Sequence, residues 1–265
     1  MNDTDYFKAN EALWDQRTQV HKDSAFYDVP GFLAGKDSLT PIELAGVGDV
    51  KGKSLLHLQC HFGLDTLSWA RHGATVTGID FSTAAITEAR RIATMAELNA
   101  NFICCNVYDT SAHLGDQQFD IVFTSYGVVG WLPDLDKWAA VIRQHLKPGG
   151  LFFLAEFHPV IWMFDDNFTR IQYAYHNAEV IETTSQGTYT DPNAAISAKE
   201  YGWNHSLSEV LNALIRHGLH ITSFDEFSYS PYPCFNQLVP AGPGKWHIKG
   251  MEDKVPMVYA VSAQG

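Results

Sequence analysis

His57, Cys60 and His61 lie within five residues of one another and could together ligate a metal ion. Transition metals take imidazole and thiolate donors, but a closed site needs four ligands and a catalytic one about three. The three residues fall in the stretch LLHLQCHFGLD, Leu55 to Asp65, whose apolar start reads as a strand. Along a strand His57, Gln59 and His61 point one way and Cys60 the other, which splits the set. No C-x-x-C or H-x-x-x-H pair elsewhere completes it. The expectation is no metal, with His57 a polar residue hydrogen-bonded at the strand end.

A second chemistry suits the same stretch. The run turns at one glycine, Gly63, and the next apolar run ends at Asp80. A carboxylate at such a strand end can accept hydrogen bonds from both hydroxyls of a ribose. The plainer alternative is an acid beside a helix N-terminus. A turn glycine plus an acid fits an adenosine-containing ligand. A dinucleotide asks for more, because its pyrophosphate must approach the backbone closely and G-x-G-x-x-G spacing makes that room. Gln59, His61 and Phe62 put bulk there instead. The loop therefore disfavours NAD and FAD and suits an adenosine ligand without phosphates.

These side chains need elements to hold them. KSLLHLQC, ATVTGID, ANFICCNVYD, FDIVFTSYG and LFFLAEFH read as five strands. Between them LDTLSWARHG reads as a helix ended by Gly73, and STAAITEARRIATMAEL as one capped by Ser82. DLDKWAAVIRQHL puts Trp138, Val141, Ile142 and His145 or Leu146 on one stripe and stops at the turn signal Lys147–Gly150. Ser206-Leu207-Ser208-Glu209 is a capping box for a helix ending at Gly218. LHITSFDEF and KVPMVYAVSA read as closing strands, with the Pro/Gly-rich SYSPYPCFNQLVPAGPGKW a long loop between them. Near the start, NEALWDQRTQVH has weak helical spacing and YDVPGFLAGKDS reads as loop.

Strands alternating with helices predict an α/β fold: a doubly wound, mostly parallel, seven-stranded sheet with helices on both faces. Ligands in such sheets bind outside the carboxyl ends of the strands, beside strand one. The expected organisation is an N-terminal helical cap (1–50), a cofactor-binding core (51–158), an aromatic lid insert (159–203) and a closing helix with strands of the same sheet (204–265).

The 265 residues carry a formal charge of −12 and no run of Lys or Arg, which argues against nucleic acid and anionic membranes as partners. The opening MNDTDYFKAN lacks the apolar core of a signal peptide. The most apolar stretch, GLFFLAEFHPVIWMF, is broken by Glu156, His158 and Pro159, whereas a membrane span needs about 20 apolar residues in a row. Four cysteines, two of them adjacent at Cys104 and Cys105, fit a reduced, cytoplasmic protein.

LLHLQCHFGLDTLSWARHGATVTGIDFS resembles the first two motifs of class I S-adenosylmethionine-dependent methyltransferases. FDIVFTSYGVVGWLPDL and LKPGGLFFLAEF resemble their fourth- and fifth-strand motifs, in the right order, over about Lys51 to Phe157. The LHLQCHFG form is similar to that of a bacterial branch of the family. The resemblance implies a Rossmann-like methyltransferase fold and S-adenosylmethionine as cofactor. By position it implies that Gln59, Cys60, His61, Gly63 and Asp65 face the methionine part. Asp80 would bind the ribose and Phe81 would lie beside the adenine. The Asn106 amide and Val107 N–H would meet adenine nitrogens, and Ser125, Tyr126 and Gly127 would form the floor under the sulfonium. Two departures stand out: the family usually has an acid at the position of His57, to hold the donor ammonium, and glycines at those of Gln59 and His61. Gln59 and Ser125 offer neutral acceptors instead. Arg17 could pair with the tail carboxylate, an ordinary surface arginine being the plainer reading.

Methyl transfer is an in-line displacement that needs alignment and exclusion of water, and a base only where the acceptor carries a proton. His158, ending strand five, is the candidate base; the alternative is a histidine bonded to the turn before Pro159. Trp14, Tyr27, Trp131, Trp162, Tyr173, Tyr175, Trp203, Tyr229 and Tyr232 come from segments able to close over a small, planar or apolar acceptor or a cation, although each also suits a lid core. The acidic stretches FDDNF, NAEVIE and FDEF make an anionic polymer a poor substrate. The competing readings are a nucleotide-dependent oxidoreductase and a cofactor-binding protein without turnover.

Overall fold

The computed structural model describes residues 3–176 and 179–265. Met1 and Asn2 of the opening stretch, and Asn177 and Ala178 of NAEVIE, lie outside the described residues. The chain opens with helices α1 (Asp3–His21), α2 (Val29–Leu33) and α3 (Pro41–Val47). Next come β1 (Ser54–Leu58), α4 (Leu64–Arg71), β2 (Thr75–Asp80), α5 (Thr83–Met95) and β3 (Ala100–Cys104). They are followed by α6 (Thr110–Leu114), β4 (Phe119–Ser125), α7 (Leu135–His145) and β5 (Leu146–Phe157). A hairpin of β6 (Ile181–Gln186) and β7 (Ser197–Gly202) precedes α8 (Leu207–Arg216) and β8 (His220–Phe227). A second hairpin, β9 (Leu238–Gly242) and β10 (Lys245–Ile248), precedes β11 (Val258–Gln264).

Seven strands form one sheet in the order β3-β2-β1-β4-β5-β11-β8. The neighbours from β3 through β5 run parallel, while β11 is antiparallel to both β5 and β8. Successive side chains of a strand face opposite sides, and each face has its own apolar cluster. Leu55, Phe123 and Phe153 pack with Trp69 on one side. Leu56, Leu58, Val122 and Phe152 pack with Trp138 and Ile142 on the other.

The expected caps hold: Ser82 accepts from Ala85 N, and Ser206 and Glu209 form the capping box of α8. Several expectations are corrected. The loop YDVPGFLAGKDS contains α2, because Asp28 accepts from Gly31 N and Pro30 presets the first turn. Strand three stops at Cys104, because Asn106 Oδ1 accepts from Tyr108 N and starts a short 3-10 turn. Lys147–Gly150 is no stop before strand five but the irregular start of β5, where Leu146 pairs with Phe119. The Pro/Gly-rich loop folds into the β9–β10 hairpin. Residues 159–203, where the alternation breaks, contain the β6–β7 hairpin, which docks on α1: Asn10 donates to Tyr201 O and accepts from Tyr201 N.

Candidate active site

The turn after β1 brings its residues to the carboxyl end of the sheet. Cys60 N still bonds Ile79 O of β2, and Gly63 N closes the turn on Cys60 O. Gln59 (φ 58°), His61 (φ 51°) and Gly63 (φ 76°) all adopt left-handed backbone. Glycine would adopt this freely, whereas each other residue costs on the order of 1–2 kcal/mol there. At Gly63 no side chain is possible, since a Cβ would stand 2.6 Å from the Phe102 ring. The loop thus keeps a glycine-type path at Gln59 and His61, and their side chains serve as struts. Gln59 Nε2 donates to Val128 O at 3.0 Å, and the His61 ring packs against Trp14, His21, Tyr27 and Phe62.

Asp80 ends β2 and is 7 % exposed. One oxygen accepts from His61 N at 2.8 Å and the other from Ser82 N at 2.9 Å. Burial pushes this carboxyl up to about 6, against those two bonds. His57 is buried, its Nδ1 2.8 Å from Thr66 Oγ1; burial alone takes it down to about 3, so it is a neutral imidazole. Its Nε2 has no hydrogen-bond partner.

The loop after β4 is strained and clamped in the same manner. Tyr126 (φ 29°) and Gly127 (φ 72°) turn left-handed. The buried Glu156 carboxylate accepts from the backbone N–H groups of Gly127, Val128, Val129 and Phe157. Trp131 Nε1 donates to Gly127 O at 2.7 Å. Left-handed non-glycine residues at the ends of two neighbouring strands, each held by its surroundings, are strain of the kind found at functional sites in many proteins.

Both loops open on one cleft of about 1500 Å³. Gln59, Cys60, His61, Gly63, Asp65, Asp80, Phe81, Asn106, Val107, Ser125, Tyr126 and Gly127 all line it. So do the aromatics Trp14, Tyr27, Trp131, Trp162, Tyr173, Trp203 and Tyr232, Trp162 being 40 % exposed at the rim. Tyr126 packs edge-on to Tyr232 and tilted against Phe157, and Trp162 packs against Phe157 and Phe235.

Three expected residues stand elsewhere. His158 does not line the cleft: its Nε2 bonds Glu226 at 2.9 Å and its Nδ1 accepts from Val160 N, so it ties the end of β5 to β8 and the following turn. Tyr175 uses its hydroxyl to accept from Leu207 N at the start of α8. Tyr229 covers Phe227 and receives the Lys245 ammonium on its ring. Arg17 is the opposite correction. It is 7 % exposed, lines the cleft between the Trp14 and Trp131 rings, and bonds Glu200 and Ser185 of the docked hairpin.

Sequence reasoning missed Glu43, the Glu156 clamp and the hydroxyl-bonded, half-buried state of Asp65. Asp65 is held by Ser38 Oγ at 2.7 Å and Ser125 Oγ at 3.1 Å, and burial raises it to about 6. Glu43 on α3 is fully buried, accepts from the Thr40 hydroxyl, and is raised to about 7 by burial and then by Asp65. The Tyr126 hydroxyl stands 3.4 Å from Thr40 Oγ1, which joins Glu43 to the cleft floor. A charged residue inside LFFLAEF was the legible sign of the Glu156 clamp. Thr40-Pro41-Ile42-Glu43 carries the spacing of a capping box. Among the described residues there is no group of three or more His, Cys, Asp or Glu side chains placed to hold a metal. No described helix is long and apolar enough to cross a membrane.

Residues 55–150 match the model of the methyltransferase-domain family. The chain is 33 % identical over 106 residues to a ubiquinone biosynthesis O-methyltransferase of Coxiella burnetii, a stretch covering 40 % of this chain and 44 % of the relative. The chain thus spans about half the length of the relatives it matches. An S-adenosylmethionine-dependent methyltransferase structure from Mesorhizobium loti superposes with a TM-score of 0.55 at 20 % identity, over 88 % of this chain and all of that one. Geranyl diphosphate C-methyltransferase of Streptomyces coelicolor, in complex with S-adenosyl-L-homocysteine, superposes with a TM-score of 0.53 at 15 % identity, over 84 % and 76 %. Residues 55–150 are thus similar to a methyltransferase domain, and the chain shares the fold of these methyltransferase structures.

Proposed function

We propose that this protein is an S-adenosylmethionine-dependent methyltransferase acting on a small molecule. The observation that carries the reading is the convergence of two clamped, left-handed strand-end loops and Asp80 on one aromatic cleft. The residues fit the cofactor. Each Asp80 oxygen accepts one N–H and keeps capacity for a ribose hydroxyl. Phe81, Asn106 and Val107 line the same cleft and would edge an adenine. Gln59 Oε1 is a buried acceptor awaiting a donor. When bound, S-adenosylmethionine supplies an electrophilic methyl group on a sulfonium.

The chain's own part is to position and to exclude water. Tyr126, Phe157, Trp162, Tyr232 and Phe235 form an aromatic wall suited to a planar or apolar acceptor. Segment 159–203 acts as a lid pinned to α1 by Asn10 and Arg17. His158, bonded to Glu226 and Val160 N outside the cleft lining, is not assigned the role of base. The relative's role in biosynthetic O-methylation supports a small-molecule acceptor, and the acidic composition disfavours nucleic acid.

An oxidoreductase is less suited to this site. Asp65, half-buried in the first turn of α4, would oppose a pyrophosphate at that helix N-terminus. Calorimetry with S-adenosylmethionine, S-adenosylhomocysteine and NAD(P) separates the readings. The expected result is micromolar binding of the first two. Binding of NAD(P) alone would overturn the proposal, and homocysteine-product binding without methylation across a broad acceptor panel would favour a protein without turnover.

A further inference from the structure

The methyltransferase reading leaves one group without a holder. The donor's amino-acid tail carries an ammonium, and the neutral, buried His57 that replaces the usual acid cannot pair with it. His57 Nδ1 is moreover committed to Thr66. The compensation lies eight residues further on, in Asp65.

Asp65 lines the cleft from the first turn of α4, beside Ser125 of the sulfonium floor. Its oxygens meet the hydroxyls of Ser38 and Ser125, and it has no cationic partner among the described residues. The charged groups that act on it or are acted on by it are acids, Asp37 and Glu43. Two polar atoms, of cleft residue Gln59 and of Glu43, which Asp65 acts on, add to the imbalance. Gln59 Oε1 and Glu43 Oε1 are buried acceptors with no donor, and Glu43 itself is fully buried. A half-buried, partly desolvated carboxylate without a cation carries a cost, and acceptors without donors add to it. An ammonium brings a positive charge and three N–H donors.

We infer that Asp65, which lines the same cleft as the unpartnered Gln59 Oε1, binds the ammonium of the donor's methionine tail and so takes over the task of the acid missing at position 57. This rests on the methyltransferase reading, and the test separates the two. S-adenosylhomocysteine carries the amino-acid tail; 5′-methylthioadenosine has the same thioether nucleoside and no tail. Calorimetry with both ligands on wild type and Asp65→Asn should show tenfold or greater loss of S-adenosylhomocysteine affinity in the variant. Affinity for 5′-methylthioadenosine should stay within twofold. Unchanged S-adenosylhomocysteine binding, or equal loss for both ligands, overturns the assignment and leaves the methyltransferase reading standing. A wild type that binds neither ligand overturns both. Should Asp65→Asn not fold, Ser38→Ala removes one hydroxyl from Asp65 and keeps its charge. A reorientation of Asp65 then predicts a severalfold change confined to S-adenosylhomocysteine, and a change equal for both ligands, or none, overturns the assignment.

Discussion

Replacing Glu43 with glutamine should make the protein more stable at alkaline pH and leave it nearly unaffected at acid pH. The carboxyl is raised from 4.5 to about 7, chiefly because burial penalises its charge. Below 4.5 it is protonated in folded and unfolded chains alike, and its full contribution to stability is present. As the pH rises past 4.5 the unfolded chain ionises first, so stability is lost until the pH passes about 7 and the folded carboxyl ionises too. At about 1.4 kcal/mol per factor of ten, the wild type loses about 3 kcal/mol over that window through this group alone. The glutamine of the Glu43→Gln variant cannot ionise, and its amide oxygen can still accept from the Thr40 hydroxyl. Urea denaturation of both proteins at about pH 5 and about pH 8 gives the variant-minus-wild-type difference at each pH. It should grow by about 2.5 kcal/mol from the first to the second. A difference that stays flat within about 0.5 kcal/mol would refute the claim that Glu43 is held in a charge-averse site.

Asp80→Ala should weaken S-adenosylhomocysteine binding by about 1–3 kcal/mol in calorimetry, and unchanged affinity would place the nucleoside elsewhere. Gln59→Gly should be more stable than Gln59→Ala by about 1 kcal/mol in chemical denaturation, because both lose the bond to Val128 O but only Gly is at ease with φ 58°. Equal stability would mean that the loop relaxes out of the left-handed path. Glu156→Ala strands four backbone N–H groups and should cost at least about 3 kcal/mol, read as a lower denaturation midpoint. A loss under about 1 kcal/mol would show that water replaces the clamp.

Much of this architecture was legible because its causes are local. The apolar runs around His57, Gly78 and Phe123 could only be buried strands, and Ser82 and Ser206 announce their helices through caps that need three residues of sequence. That the residues after β1, β2 and β4 meet at one cleft was legible for a related reason: a strand end fixes where its next residues go. The acceptor side was not. His158 and Glu156 are two residues apart at the end of β5, and the pleat alone does not say which faces the cleft and which is drawn off by a partner such as Glu226. Arg17 reads as a surface residue until Glu200, far away in sequence, closes on it. The β9–β10 hairpin was hidden because Pro240 and the glycines read as loop, yet two short strands suffice where a hairpin packs on a larger body.

The order of strands also sets the timetable of folding. β11 is the last strand in sequence but an interior one in the sheet, and β8 joins the sheet only through it. Its partner Phe157 pairs with Val258, about a hundred residues away, and pairing across so long a separation is slow. Until β11 arrives, β5 presents an unpaired edge rich in Phe and Leu, the kind of surface that seeks other chains. Yield on expression should therefore depend on how long that edge waits, with slower synthesis at low temperature or chaperones improving recovery without altering the stability of the finished protein.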